Sequence, residues 1–307
     1  MRARELFVFA IFLALALFPG CDTGRFTASQ SVGLITRGAA AIQEHWDPEL
    51  VGDAMPGSIL QLEGLYATLP EDDRVGLEML RAYVSYAYGW LEPQAEEAEA
   101  RGDLDAQDET MRRARLMYLR ARNVGMHHIR LRDSGFDAAV NGDHDAFVQY
   151  LDTHYRTAED VRFLLWTGYA WGSAIAVATD DPELVLDLPK VRAMVERAVE
   201  LDPSYFEYGG LMFLGALASS VPESLGGDPA QGRILFERAL TGTNRSFFQI
   251  QLQYARTYAV TTGDRALFIS LLREIIDGGD PRADVRLANR LARRRAIRLL
   301  QRVDELF

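Results

Sequence analysis

The chain has 307 residues, of which 33 are basic and 44 acidic, so its net charge at pH 7 is −11. This sign disfavours nucleic acid as a partner, because the phosphate backbone is itself negative. Cys21 is the only cysteine, which excludes an internal disulfide, an iron–sulfur cluster and a zinc–thiolate site. The fold must therefore be held together by packing alone.

Residues 1–20 have the pattern of a lipoprotein signal peptide. Two arginines precede the apolar run Leu6–Phe18, which leads through Pro19-Gly20 to Cys21. The run is shorter than the ~20 apolar residues needed to span a bilayer. We expect cleavage before Cys21, lipid on its thiol, and a periplasmic chain anchored to a membrane by that lipid. The alternative is an ordinary cleaved signal that leaves Cys21 as a free thiol.

Asp22 resembles an inner-membrane retention signal of Gram-negative bacteria, so the inner membrane is expected rather than the outer. Residues 21–30 are small and polar, which predicts a lipidated tether. Residues 31–307 are predicted to be a single all-helical domain. Its first helix is expected from Val32 to Trp46, with Ser31 as N-cap.

The next segments carry helical apolar patterns separated by turn residues. Pro56-Gly57 predicts a break, and Glu92–Glu109, which contains Pro93, predicts another. The expected helices are Ser58–Ala67, a long helix after Pro70, about Ala106–Arg132, and Ala146–Tyr155. The long helix has two apolar stripes, so it should be sandwiched between neighbours.

Phe163–Ala178 has sixteen residues and no charge. It could be a membrane anchor or a central helix buried on all sides. The length is short for a span, and the polar and small residues Thr167, Gly168, Gly172 and Ser173 dilute the run. These features favour the central helix.

Residues 160–281 contain three helical pairs of similar layout. The first helices of the pairs are Phe163–Ala178, Tyr205–Ser219 and Phe247–Thr261. Each pair should bury its apolar face on the next, as in a tetratricopeptide-like solenoid or bundle of helical hairpins. The C-terminal segment 282–306 is rich in arginine. It is either a basic dock for an acidic partner or a capping helix whose arginines pair with acids of the same chain.

Signatures of catalysis are missing from the sequence. His127 and His128 are adjacent, so on a helix they point ~100° apart and cannot share one metal ion. There is no Gly-x-Ser-x-Gly motif. We therefore expect no catalytic residue, metal or cofactor, and a binding protein in preference to an envelope enzyme.

Aromatic residues are the better candidates for binding. The rings of Tyr and Trp can pack against an apolar ligand or partner while their polar atoms remain hydrated. Each of them could equally be core. The candidate groove residues are Tyr83, Tyr86, Trp90, Trp166, Tyr169 and Trp171.

A series of short motifs in a fixed order resembles the TatT component family of tripartite ATP-independent periplasmic (TRAP) transporter systems. The likeness covers roughly residues 30–307. The motifs are Glu159-Asp160-Val161, Trp166, Ala170-Trp171-Gly172, Asp180-Asp181-Pro182-Glu183-Leu184, Asp187-Leu188-Pro189-Lys190-Val191, Leu201-Asp202, Gly215, Pro222, Gly226-Gly227, Phe236-Glu237-Arg238-Ala239-Leu240, Arg286-Leu287-Ala288-Asn289 and Asp304-Glu305-Leu306-Phe307.

The resemblance implies a lipid-anchored, tetratricopeptide-like, non-catalytic periplasmic protein that self-associates. It would bind the substrate-binding P subunit of a TRAP transporter and its ligand, beside an ion-driven permease. The alternative is a general tetratricopeptide scaffold lipoprotein for envelope assembly.

Overall fold

The structure is a computed structural model that describes residues 23–178 and 181–307. The predicted signal peptide, Cys21 and Asp22 lie outside the described residues. Every regular element of the described residues is helical, which confirms the all-α fold class. Within the same residues, no helix combines the length and the apolar character needed to cross a membrane.

The N-terminal half consists of four long helices and three shorter ones. They are α1 (Thr23–Gln43), α2 (Pro48–Thr68), α3 (Asp73–Tyr86) with a π-helical turn (Ala87–Leu91), α4 (Glu92–Ala100), α5 (Leu104–Arg132), α6 (Phe136–Val140) and α7 (His144–His154).

The C-terminal half contains the paired helices. They are α8 (Val161–Ala176), α9 (Pro182–Val185), α10 (Leu188–Leu201), α11 (Tyr205–Ser220), α12 (Pro229–Gly242), α13 (Phe248–Tyr254) with a second π-helical turn (Ala255–Ala259), α14 (Arg265–Asp277), α15 (Arg286–Gln301) and α16 (Val303–Leu306).

Aspartate residues cap the N-termini of many of the helices. An aspartate carboxylate accepts a hydrogen bond from a backbone N–H of the first turn, which satisfies a donor that the helix leaves free. Such caps are Asp47, Asp72, Asp103, Asp143, Asp181, Asp228 and Asp264.

The three expected hairpins are present. Helix α8 packs on α10, α11 packs on α12, and α13 with its π turn packs on α14. Helix α8 is buried along almost its whole length, as expected for a central helix. Gly168 and Gly172 allow this packing, because a Cβ atom there would lie 2.5 Å from Val195 and 2.3 Å from Phe213.

Several predicted helix boundaries in the N-terminal half were wrong, although the helices expected at about Ala106–Arg132 and Ala146–Tyr155 are present as α5 and α7. Helix α1 begins at Thr23, and Ser31 is inside it, where its hydroxyl donates to the Thr27 carbonyl at 3.1 Å. Helix α2 runs through Pro56 because Met55 and Ile59, on either side, are both buried. Pro93 ends no helix, because the helical backbone continues from the π-helical turn Ala87–Leu91 through it into α4.

The last long helix brings the two ends of the described chain together. Helix α15 packs on α13 and α14 and also meets α1 and α2. Its arginines pair with acids of the same chain, which supports the capping-helix alternative. These pairs are Arg286–Asp280, Arg294–Glu49, Arg295–Glu92, Arg295–Glu96 and Arg298–Glu97.

A buried histidine lies where α3, α5 and α8 meet. His128 is fully buried, its Nδ1 is 2.9 Å from Asp73 Oδ1, and its ring stacks on Phe163 with centroids 4.9 Å apart. Gly76 makes room for the ring, because a Cβ atom there would lie 2.0 Å from His128 Nε2. Burial lowers the pKa of His128, and the opposing effect of Asp73 is smaller.

We predict that His128 makes the fold acid-sensitive. Below about pH 6.5, the usual pKa of histidine, the unfolded chain takes up a proton that the folded chain resists. The free energy of unfolding should therefore fall as pH drops from 7 towards 5, by at most roughly 1.4 kcal/mol per pH unit from this group. Urea unfolding of the wild type and His128→Gln at several pH values tests this. Parallel profiles for the two proteins would contradict it.

Candidate binding site

The interior of the molecule is lined by the continuous helical segment α3–α4 and by α8, α11, α13 and α15. Each is the first helix of a hairpin or the closing helix, and neighbours in this series contact each other. Side chains that project between them belong to two zones, one aromatic and one charged.

The aromatic zone lies between α8, α11 and the start of α13. The Trp166 ring packs on Phe206 with centroids 4.4 Å apart, and Tyr169 packs on Phe213 at 5.0 Å. Phe247 meets Phe206 from the other side at 6.2 Å. Tyr169, Phe206 and Phe213 keep part of their surface accessible although they face the interior. This zone therefore offers an apolar wall that a ligand could contact.

A polar bridge joins the aromatic zone to the charged one. The Tyr88 hydroxyl donates to Gln249 Oε1 at 2.8 Å and accepts from Gln253 Nε2 at 3.1 Å. Tyr88 belongs to the π turn after α3, and both glutamines belong to α13. Such turns insert one residue into a helix and are frequent at functional sites. Here the turn places Tyr88 across the interior from α13.

The charged zone is centred on Arg295 of α15. Its side chain is only 3% exposed. Its guanidinium donates to Glu92 Oε2 at 3.0 Å and to Glu96 Oε2 at 2.9 Å, and it lies 5.3 Å from the centroid of the Tyr88 ring. Arg256 Nη2 adds a second cation, 3.0 Å from Glu96 Oε1.

Opposite charges keep this zone ionised despite its burial. Burial alone would raise the pKa of Glu96, but the charges of Arg295 and Arg256 outweigh it, so the pKa is lowered. Burial alone would lower the pKa of Arg295, but Glu96 and Glu92 raise it. One guanidinium nitrogen of Arg295, Nη1, has no hydrogen-bond partner among the described residues.

A turn with left-handed backbone conformation places Phe206 in the aromatic zone. Phe206, Glu207 and Tyr208 have φ values of 51°, 54° and 58°. This conformation costs about 1–2 kcal/mol per non-glycine residue. The turn is held by two hydrogen bonds from Arg282 to the Glu207 carboxylate, at 2.6 and 2.8 Å. The Tyr169 hydroxyl donates to the Gly209 carbonyl just after it, at 2.8 Å.

Comparison with known proteins identifies the family. The family model described as TRAP transporter T-component matches residues 44–307. The chain belongs to the TRAP transporter T-component family. An uncharacterised protein of Treponema pallidum (strain Nichols) is similar to it, with 27% identity over 255 residues that cover 83% of this chain and 76% of the relative.

In this T-component the six predicted groove residues do not form one group. Trp166 and Tyr169 belong to the aromatic zone. Trp171, on the same helix, is 5% exposed and has Arg122 of α5 over its ring at 5.6 Å. Trp166 is itself only 2% exposed, so Tyr169 presents more of its surface to the interior than either tryptophan.

The other three predicted residues face away from the interior. The Tyr83 hydroxyl donates to Glu63 of α2 at 2.6 Å. Trp90 donates from Nε1 to the Pro48 carbonyl at 3.0 Å, and Tyr86 stacks on Trp90 at 6.1 Å. These rings fasten α3 and its π turn to neighbouring helices.

Sequence reasoning missed the residues that do face the interior. Arg81, Tyr88, Glu92 and Glu96 follow one another at helical spacing along α3 and α4. This stripe was detectable as a polar line between two apolar stripes, at steps of four or seven residues. The π turn and its partners on α13 and α15 have no signal in the local sequence.

The two zones can bind but contain no recognisable catalytic arrangement among the described residues. Burial raises the pKa of Tyr88 and Tyr169, so both hydroxyls stay protonated and act as hydrogen-bond donors or acceptors. Trp166 Nε1 is buried without a partner among the described residues.

We predict that Arg295 contributes much more to stability than its neighbour Arg294. Arg295→Met leaves the buried carboxylate of Glu92 without its cation and Glu96 with only Arg256 close to it, which should cost about 3–5 kcal/mol in the free energy of unfolding. Arg294→Met is the matched control. Its side chain is 46% exposed and its partner Glu49 is 76% exposed, so it should cost less than about 1 kcal/mol. Urea unfolding measures both, and equal losses would contradict the prediction.

Proposed function

We propose that this T-component is a lipid-anchored periplasmic accessory protein of a TRAP transporter that binds the substrate-binding P subunit and its ligand. The family match over residues 44–307 is the main observation that supports the proposal. A transporter component has to contact other components, and an all-helical body supplies a rigid surface for that purpose. The aromatic zone supports ligand contact, because its wall is apolar and part of it is accessible.

The proposal also includes self-association and lipid on Cys21. Cys21 is the only cysteine and follows a short apolar run, which supports acylation at that position. The role is binding rather than catalysis, in keeping with an interior made of aromatic rings and paired charges.

We predict that the anchored protein captures its P subunit. Lys190 is the only lysine, so a crosslinker that joins two amines could react with this chain at very few positions. A zero-length reagent that joins carboxylates to amines suits a chain with 44 acidic residues. Tagged full chain isolated from crosslinked membranes should bring the P subunit, identified by mass spectrometry. A P subunit from an unrelated TRAP system, supplied in equal amount, is the control.

The outcome that would overturn P-subunit binding is repeated absence of the cognate P subunit when the tagged chain itself is recovered. Recovery of envelope-assembly proteins instead would favour the general scaffold alternative.

We predict that Cys21→Ser abolishes incorporation of labelled fatty acid and releases the protein from the membrane fraction. The reason is that the thiol is the proposed attachment point for lipid. Thr23→Ser, two positions later, is the matched control and should keep the label. Membrane association of Cys21→Ser equal to that of the wild type, in protein shown by its mass to have lost residues 1–20, would place the anchor elsewhere.

A further inference from the structure

The segment between Cys21 and the body of the molecule is helical. Helix α1 begins at Thr23 and runs unbroken to Gln43, whereas the sequence predicted a tether as far as residue 30. Only Asp22 stands between Cys21 and Thr23. Two consecutive peptide units span at most about 7 Å in any conformation. A lipid on Cys21 would therefore lie close to the first turn of α1.

Helix α1 runs in the same direction as α3. Val32 is buried in a cluster with Val75, which lies in the first turn of α3. At the other end of α1, Arg286 of α15 donates to the Glu44 carbonyl at 2.9 Å, and α15 is the helix that pairs with α4. From Val32 back to Thr23 a helix extends about 14 Å at 1.5 Å per residue. The first turns of α1 therefore pass the start of α3.

The starts of three inner helices lie at this end of the molecule. Arg132, at the end of α5, pairs with Asp73 of α3 and lies over the Phe163 ring of α8 at 5.2 Å. Trp166 of α8 packs on Phe206, in the first turn of α11. We call this end, where α3, α8 and α11 begin and α5 ends, the near end. The far end is where α4 ends and α5 begins.

The two zones of the interior lie at different distances from the near end. Trp166 of the aromatic zone is in the second turn of α8, and Arg81 of α3 lies over its ring at 5.3 Å. The charged zone begins at Glu92, farther along the same continuous helical segment. From Arg81 to Glu92 that segment rises roughly 16 Å at 1.5 Å per residue. The aromatic zone is therefore closer to the near end than the charged zone.

We propose that the near end faces the phospholipid surface and that α1 holds it there through the lipid on Cys21. The aromatic zone then lies on the membrane side of the interior and the charged zone on its periplasmic side. The far end stands about 40 Å farther from the bilayer, the rise of α5 between its ends. The inference rests on the lipid anchor within the proposed function and assigns the anchored chain an orientation.

Exposed side chains favour contact through the near end over contact through the side of the molecule. At the near end Leu131 is 46% exposed, and Arg156 is exposed without an ion pair to any described residue. The headgroup region accommodates both, because it has apolar parts for leucine and phosphates for arginine. Along the side next to α1, Glu44 and Asp53 are exposed and equally unpaired within the described chain. Anionic headgroups would repel these two carboxylates.

Energy transfer from a single label to the bilayer tests the orientation. Cys21 is the only cysteine, so once lipid occupies its thiol an introduced cysteine can be labelled alone. Ser134→Cys marks the near end and Asp108→Cys the first part of α5, and both positions are exposed. Each acylated full chain is added to preformed vesicles of phosphatidylethanolamine and phosphatidylglycerol that contain a rhodamine-labelled lipid as acceptor.

Transfer from Ser134→Cys should be several-fold greater than transfer from Asp108→Cys, because α5 rises about 36 Å between Asp108 and Arg132. The same two variants carrying Cys21→Ser, which have no thiol for the lipid, give the background. Equal transfer from the two labels would mean that the molecule lies on its side, and greater transfer from Asp108→Cys would mean that it is inverted. Either result would overturn the orientation.

A flexible insertion tests the role of α1. A ten-residue Gly-Ser segment between Asp22 and Thr23 forms a coil with an end-to-end distance of about 17 Å. The near end is then no longer held, so the difference between the two labels should largely disappear. Two Glu-Ala-Ala-Ala-Lys repeats at the same place are the matched control, because they are mostly helical. They should lower transfer from both labels and keep the difference. An undiminished difference with the Gly-Ser segment would overturn the role of α1.

The outcomes separate the orientation from the wider proposal. Vesicle-bound, acylated protein with equal transfer from both labels would overturn the orientation and leave the anchor intact. A wild type whose mass shows no lipid on Cys21 would overturn both. P-subunit capture, measured as above, reports the transport role independently.

Discussion

The ion pairs of Arg295 with Glu92 and Glu96 join residues 203 and 199 positions apart in the chain. They connect the closing helix α15 to α4, at the other end of the series of hairpins. Burying these charges is costly, and the pairing and hydrogen bonds must repay that cost. Apolar contacts alone would let α15 slide by a turn, whereas a guanidinium between two carboxylates fixes its register. The interior depends on that register, since Tyr88 and the aromatic zone lie beside it.

The left-handed turn Phe206–Tyr208 stores strain at the other side of the interior. Its backbone cost is opposed by interactions with three different parts of the chain. Arg282 binds Glu207 from the loop before α15, Tyr169 binds the Gly209 carbonyl from α8, and Phe206 packs on Phe247 at α13. The turn is thus stable only once the hairpins around it have assembled. A change in the packing of any of these elements would displace Phe206. Because Phe206 is part of the aromatic zone, the shape of that zone would change as well.

The sequence predicted what depends on local pattern. The hairpins of residues 160–281 and the buried helix α8 follow from apolar spacing and from the glycines and prolines between helices. The errors came from reading Pro56 and Pro93 as breaks, because tertiary packing and the local helix geometry, here a π-helical turn directly before Pro93, decide whether a proline interrupts a helix. Tyr83, Tyr86 and Trp90 illustrate a further limit. An aromatic stripe predicts burial or binding equally well, and only contacts with α2 and α5 reveal which occurs. The roles of Tyr88 and Arg295 depend on residues more than 150 positions away.

The interior of the molecule combines two kinds of chemistry. The aromatic zone has rings that keep part of their surface accessible, whereas the arginines and glutamates of the charged zone are already paired with each other. A molecule that displaced these pairs would have to repay the cost of leaving a buried charge without its partner. Contact with the aromatic rings breaks no such pair, so the aromatic zone is the part of the interior where a contact costs least.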